Sequence, residues 1–189
     1  SWGNSIEFDE AAERMGVDVM RWMFAKARPE ENILFGWHAA DEARRDLLVL
    51  WNVYRFFVDH ANLAGWEPTR GIRSAIGAAS SWPAIDRWIL SRAAGLALDA
   101  GDRLSDYDTL GATRHVSAFI DDLSTWYLRR SRDRMRASAP AGDREAALAT
   151  LHAALVGLAR TIAPILPFLS DSLYANLTGS LGGELPDSV

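Results

Sequence analysis

The sequence predicts a mainly α protein: an up-and-down helical bundle with a small α-rich appendage at its N-terminus. Three observations carry this. Apolar residues recur at three- and four-residue steps over long stretches. No alternating apolar–polar pattern runs beyond a few residues. Gly- and Pro-containing breaks separate the helical stretches. No internal repeat is present.

Residues 1–35 read as the appendage. Phe8–Met15 predicts a short helix with Asp9 as N-cap and Gly16 as C-cap. Asp18-Val19-Met20-Arg21-Trp22-Met23-Phe24 opens a second apolar helix, closed by Pro29 and followed by a polar turn at Glu30-Glu31-Asn32. Ile33-Leu34-Phe35 is an apolar run consistent with a short strand. The bundle occupies 36–178. Its first helix runs from Trp37 to Ala64, with Leu47, Leu48, Trp51, Tyr54, Val58 and Ala61 at helical spacing, Asp41-Glu42 near the positive end of its dipole, and Gly65 as the stop. Glu67–Ser81 is rich in Gly, Ser and Ala and predicts a loop within 66–82. Pro83 suits the first turn of a second helix reaching Leu104, with Ile85, Trp88, Ile89 and Leu96 facing inward. Ser105-Asp106-Tyr107-Asp108 is a turn, with Asp108 capping a third helix that runs to about Ala137. Pro140-Ala141-Gly142-Asp143 breaks it, and Asp143 can cap a fourth helix striped by Leu148, Leu151, Leu155, Leu158 and Ile162. Pro164 and Pro167 end that helix, since an interior proline costs about 3 kcal/mol. Phe168–Leu177 is a last short helix, and 179–189 an extended tail.

Composition bounds the function. Hydrophobic content of 49% and charged content of 24% are those of a globular protein. No run of eighteen apolar residues suggests a membrane span, and Ser1-Trp2-Gly3-Asn4 is not a signal peptide. The chain begins without Met and is expected to be a piece of a longer protein. It has no cysteine, which excludes disulfides and cysteine-bound zinc and fits a reducing cytosol. His38, His60, His115 and His152 are scattered singly, so no metal site is expected. Net charge is −5, so any nucleic-acid site must be a local basic patch on an acidic body. Most of the eight tryptophans are expected to anchor the core.

The third helix carries such a patch. Its first half is amphipathic, with Val116, Ile120, Leu123 and Tyr127 on one stripe. From Trp126 to Arg136 it holds Arg129, Arg130, Arg132, Arg134 and Arg136 against Asp133 alone. At helical spacing Arg129, Arg132 and Arg136 share one face, and Arg130 and Arg134 the adjoining one. Guanidinium forks suit phosphate oxygens, and their planes stack on unpaired bases. A solvated face is the competing reading. Asp133 can pair with Arg129, Arg130 or Arg136, although it cannot neutralise all five, and Trp126 taken alone reads as a core residue. The residues by themselves leave both readings open.

A resemblance bears on that choice. Asp121-Asp122-Leu123-Ser124-Thr125-Trp126-Tyr127-Leu128-Arg129-Arg130-Ser131-Arg132-Asp133-Arg134 is similar to the isoleucyl-tRNA synthetase signature Asp-Asp-Leu-Ser-Asn-Trp-Tyr-x-Arg-Arg-x-Arg-x-Arg. Thr125 stands where the family has Asn, and Met135-Arg136 where it has Phe-Trp. The resemblance spans the chain. Ser1-Trp2-Gly3-Asn4 resembles the end of the Lys-Met-Ser-Lys-Ser-x-Gly-Asn loop, with Ser1 its last serine. Gly16–Trp22 resembles the Gly-Ala-Asp-x-Leu-Arg segment. Asp86-Arg87-Trp88-Ile89-Leu90-Ser91-Arg92 resembles the second bundle helix, Ala163–Phe168 the Ala-Pro-x-x-Pro-Phe break, and Pro186–Val189 the start of Pro-Glu-Ser-Val-His-Leu.

The resemblance implies a class of cytoplasmic, monomeric enzymes that join isoleucine to its tRNA with ATP and Mg²⁺. It implies that this segment binds the anticodon stem and loop through Trp126, Arg129, Arg130, Arg132, Arg134 and Arg136. Residues 1–35 would then be the end of the catalytic core and the stem-contact region, with Arg14 and Arg21 as weaker RNA contacts and Arg87 and Arg92 as neighbours or ion-pair formers. No catalytic residue, cofactor or metal is expected in the segment, because the His-x-Gly-His motif and the loop lysines are not in it. Two alternatives stand beside this reading: a helical scaffold for another protein, and the equivalent bundle of a valyl or methionyl enzyme.

Overall fold

The computed structural model describes residues 5–68, 81–181 and 186–189, and every regular element among them is helical. Ser1 and most of the predicted loop at 66–82 lie outside the described residues. Helix α1 (Phe8–Met15) starts after Glu7, not at Asp9. Asp9 and Glu10 sit inside its first turn, where their charges meet the free N–H groups. Gly16, at φ 89°, ends α1 and begins α2 (Val17–Lys26), a backbone conformation in which a side chain would be strained. The expected strand at Ile33-Leu34-Phe35 does not form. Among the described residues there is no strand for the run to pair with, Leu34 is 89% exposed, and Phe35 stacks on Phe24 at 5.8 Å instead.

Helix α3 (Trp37–Ala64) stops at Gly65 (φ 57°), with the Gly65 and Trp66 N–H groups returning to the Asn62 and Ala61 carbonyls. Its buried line is Ala40, Ala43, Leu47, Leu50, Val53, Tyr54, Phe57 and Ala61. Leu48 and Trp51, predicted inward, are 45% and 43% exposed. The helix carries apolar residues on two adjoining stripes, and packing on its neighbours decides which is covered. Asp41 and Glu42 lie beyond the first turn and pair with Arg44 and Arg45.

Helix α4 (Ala84–Ser105) follows Pro83 and packs along both α5 (Thr109–Asp121) and α7 (Ala141–Ile162). The turn between α4 and α5 is as predicted. Tyr107 adopts φ 61°, and the Asp108 carboxylate accepts from the Gly111 N–H at 2.7 Å. Between α5 and α7 the expected single helix is irregular: a π-helical stretch (Asp122–Leu128), one α turn, α6 (Arg129–Ser131), and a 3₁₀ turn (Arg132–Met135). Pro140 occupies the N-cap position of α7, while Asp143 lies within the first turn. The tail is also less extended than predicted, since Gly179–Leu181 forms a 3₁₀ turn after α8 (Pro167–Thr178).

Helix α7 is the axis of the bundle. Leu148, Leu151, Leu155, Leu158 and Ile162 are buried as predicted, and so are Ala147, Ala154, Val156 and Ala159. By length and composition it is the one described helix long and apolar enough to cross a membrane, but 78% of that stretch is buried inside the bundle. The appendage belongs to the same core, which runs from Ala11 and Trp22 through to Leu177. It also clasps the proline break. Arg21 donates to the Pro164 and Ile165 carbonyls at 2.8 and 2.7 Å, and Asp18 accepts from the Leu169 N–H at 2.6 Å. Those groups lack helical partners because the chain turns there.

Stability should respond at two positions on this axis. Leu151→Ala opens a cavity in the fully buried axis and should cost about 2–5 kcal/mol in denaturant unfolding. His152 is buried, its Nε2 lies 2.8 Å from the Leu177 carbonyl, and burial holds its pKa below the ordinary 6.5. The unfolded chain therefore binds this proton more readily than the folded one. The contribution is complete above about pH 6.5 and is lost as the pH falls below it. His152→Gln should flatten the acid side of the stability–pH curve, as followed by thermal unfolding.

Candidate nucleic-acid interface

The irregular segment decides where each arginine goes. The wider π turn begins at Asp121, whose carbonyl accepts from the Thr125 hydroxyl at 2.8 Å and the Ser124 hydroxyl at 3.3 Å. The stripe Val116, Ile120, Leu123 and Tyr127 stays buried through this change, and Ser131 and Met135 continue it. Trp126 is turned outward and is 49% exposed. The guanidinium of Arg130 lies over its ring, 3.9 Å from the centroid.

The predicted pairing of faces does not survive, because the buried Asp86 takes one arginine of the pair inward and leaves the other outside. Arg134, placed by spacing beside Arg130, turns into the protein. Its Nη1 and Nη2 donate to the two oxygens of Asp86, both at 2.8 Å, and its Nε donates to Asp143 at 2.7 Å. Asp86 is completely buried, and the Arg134 side chain is 16% exposed. Tyr127 closes the cluster, donating its hydroxyl to Asp86 at 3.0 Å and lying 3.2 Å from the Ala147 carbonyl. Hydrogen bonding to Asp86 holds the Arg134 guanidinium more firmly protonated than an ordinary arginine. Burial, with the Asp86 charge beside it, pushes the Tyr127 phenol well above its usual range. Arg134 therefore faces Asp86 and Asp143 inside the protein and does not stand on the outward face with the other arginines. Arg136 lies just past the helix end and pairs with the exposed Asp133 at 3.1 Å.

What remains outward is a compact set. Arg129, Arg130 and Arg132 are exposed, and none forms an ion pair or hydrogen bond with a described residue. Arg132 leans toward α3, with its guanidinium 5.6 Å from the Phe56 centroid. The weaker candidates are otherwise engaged. Arg14 pairs with Glu10 and covers Trp37, Arg21 holds the proline break, Arg87 donates to the Trp82 carbonyl, and Arg92 pairs with Asp122 at 2.8 Å. Sequence reasoning missed Asp86 and Asp143 as the partners of Arg134. Asp86 does stand at the buried register of α4, one turn before Ile89, where an acid calls for a cation.

Residues 86–187 match the family model for the anticodon-binding domain of tRNA ligases. Over the whole chain, it is 38% identical to an isoleucine–tRNA ligase of Thermus thermophilus and 37% identical to one of Dehalococcoides mccartyi; over 95% of the chain it is 39% identical to one of Deinococcus radiodurans. The chain spans 16–18% of the length of these relatives. The matched segment opens on Asp86 and contains Tyr127, Arg134 and Asp143, so the buried cluster lies wholly inside it. Arg134→Met should strand the Asp86 charge in the interior and cost about 3–5 kcal/mol in equilibrium unfolding, while Tyr127→Phe should cost about 1 kcal/mol.

Proposed function

The chain belongs to the family of anticodon-binding domains of tRNA ligases, and from that premise we propose that it is the part of an isoleucine–tRNA ligase that grips the anticodon stem and loop of isoleucine tRNA. The single observation that carries this is the set of three exposed arginines, Arg129, Arg130 and Arg132, none of them paired with a described residue, beside the outward Trp126. On an acidic body such a set draws RNA to one place. The arginines take phosphate oxygens, and the Trp126–Arg130 stack offers a plane to a base. Phosphate contacts fix register and orientation, so the role is to present the far end of the tRNA to a distant active site. Arg136 acts at the rim, since Asp133 already holds it. Arg134 sets the helix end that displays the others.

The activity of the longer enzyme is part of the same proposal. We read it as a monomeric, cytoplasmic ligase that forms an aminoacyl-adenylate from isoleucine and ATP with Mg²⁺. Those reactants supply the adenylate chemistry in the catalytic portion, and no step is assigned to residues of this segment, whose described acids and histidines nowhere gather in a group of three suited to a metal. The purified chain should show no ATP–pyrophosphate exchange; exchange above background would overturn that assignment.

Binding of isoleucine tRNA and of a non-cognate tRNA, each at several salt concentrations, tests the interface. Arg129→Ala and Arg132→Ala should each weaken binding. Each should also make the slope of log K against log salt shallower, by about 0.7–0.9 for every phosphate the variant no longer neutralises. Unchanged affinity and slope in both variants would sink the site, and a preference for the non-cognate tRNA would sink the isoleucine assignment.

A further inference from the structure

The arginine set borders a feature on another helix. On α3, His60 stacks one turn beyond Phe56, with ring centroids 3.8 Å apart and planes 23° from parallel. The His60 Nδ1 lies 2.9 Å from the Phe56 carbonyl, a contact that fixes the imidazole in place. Both side chains are half-buried, so the pair is held by the core from below and meets solvent above. The Arg132 guanidinium lies over the Phe56 ring, 5.6 Å from its centroid, and forms no ion pair or hydrogen bond with a described residue. Asp59, the neighbouring carboxylate, lies 4.0 Å from Arg55, which offsets its charge.

We propose that Phe56 and His60, flanked by Arg132, form a stacking ledge for one unpaired nucleobase of the RNA loop whose phosphates Arg129, Arg130 and Arg132 hold. The proposal rests on the RNA-binding reading above and adds to it a site on a different helix. In the stack, the His60 face turned away from Phe56 is the plane offered to a base. The adjacent guanidinium gives its phosphate a charge partner. The ledge is continuous with the arginine patch through Arg132. An acidic peptide would satisfy the arginines but would bring no plane to the ring pair, so the combination selects an unpaired nucleotide.

The test uses the full chain, an anticodon stem–loop RNA of isoleucine tRNA, and the same RNA with a single abasic site at each loop position in turn. For the wild-type chain, removal of one particular base should weaken binding roughly fivefold or more, the range expected of a stacked base. Phe56→Leu and His60→Ala should weaken binding of the intact RNA by a similar factor, leave the salt slope unchanged, and lose sensitivity to that base in a double-mutant cycle. Arg129→Ala should instead make the slope shallower. His60→Ala removes a surface ring and keeps the test decisive if Phe56→Leu destabilises the fold. If both ring variants keep the wild-type response at every abasic position while Arg129→Ala changes the slope, the ledge is refuted and the RNA-binding reading stands. If the wild-type chain binds no RNA at any salt, both fall.

Discussion

The interaction on which the rest depends is the bidentate contact between Arg134 and the buried Asp86. A carboxylate with no solvent contact is tolerable only with a cation and further donors around it. Arg134 and Tyr127 supply them, and Asp143 takes the third direction of the guanidinium. The contact ties the start of α4, the end of the irregular segment and the first turn of α7 into one corner. Its value lies in specificity more than in net energy, because desolvation offsets most of the attraction. The two sequence motifs that most resemble the synthetase family, around Asp86 and around Arg134, meet at this corner.

The corner also explains the surface. Arg134 is drawn inward and Tyr127 and Met135 are held in the core, and the segment around them runs through a π turn and a 3₁₀ turn with Trp126, Arg129, Arg130 and Arg132 outside. A π turn widens the backbone and costs regular hydrogen bonding. Such turns persist where they aim side chains that an ordinary helix would misplace. Here the Thr125 and Ser124 hydroxyls support the carbonyl at which the turn begins. The segment from Trp126 to Arg136 thereby forms a local basic patch on a protein of net charge −5.

The N-terminal region follows the same logic of matched partners. Two prolines near the end of α7 free carbonyls and an N–H group, and Arg21 and Asp18 take them up from the other end of the chain. The break is thus where the appendage docks, and Trp22, fully buried, makes it part of the main core.

The sequence by itself determined the helices and most of their limits: α3 over Trp37–Ala64, the Asp108 cap, the proline break, and the buried stripes of α5 and α7. These follow from local causes, namely apolar period, capping chemistry, and the stop imposed by Gly and Pro, all of which are written in neighbouring residues. It also located the basic cluster from Arg129 to Arg136. Tertiary structure alone decided which stripe of α3 faces inward, that Ile33-Leu34-Phe35 has no strand to join, and which of the five arginines reach solvent. Those outcomes turn on partners distant in the chain. Asp86 lies 48 residues before Arg134; the helical period sets Arg134 on the stripe of Tyr127, seven residues on, but only the fold brings a buried carboxylate to meet it there.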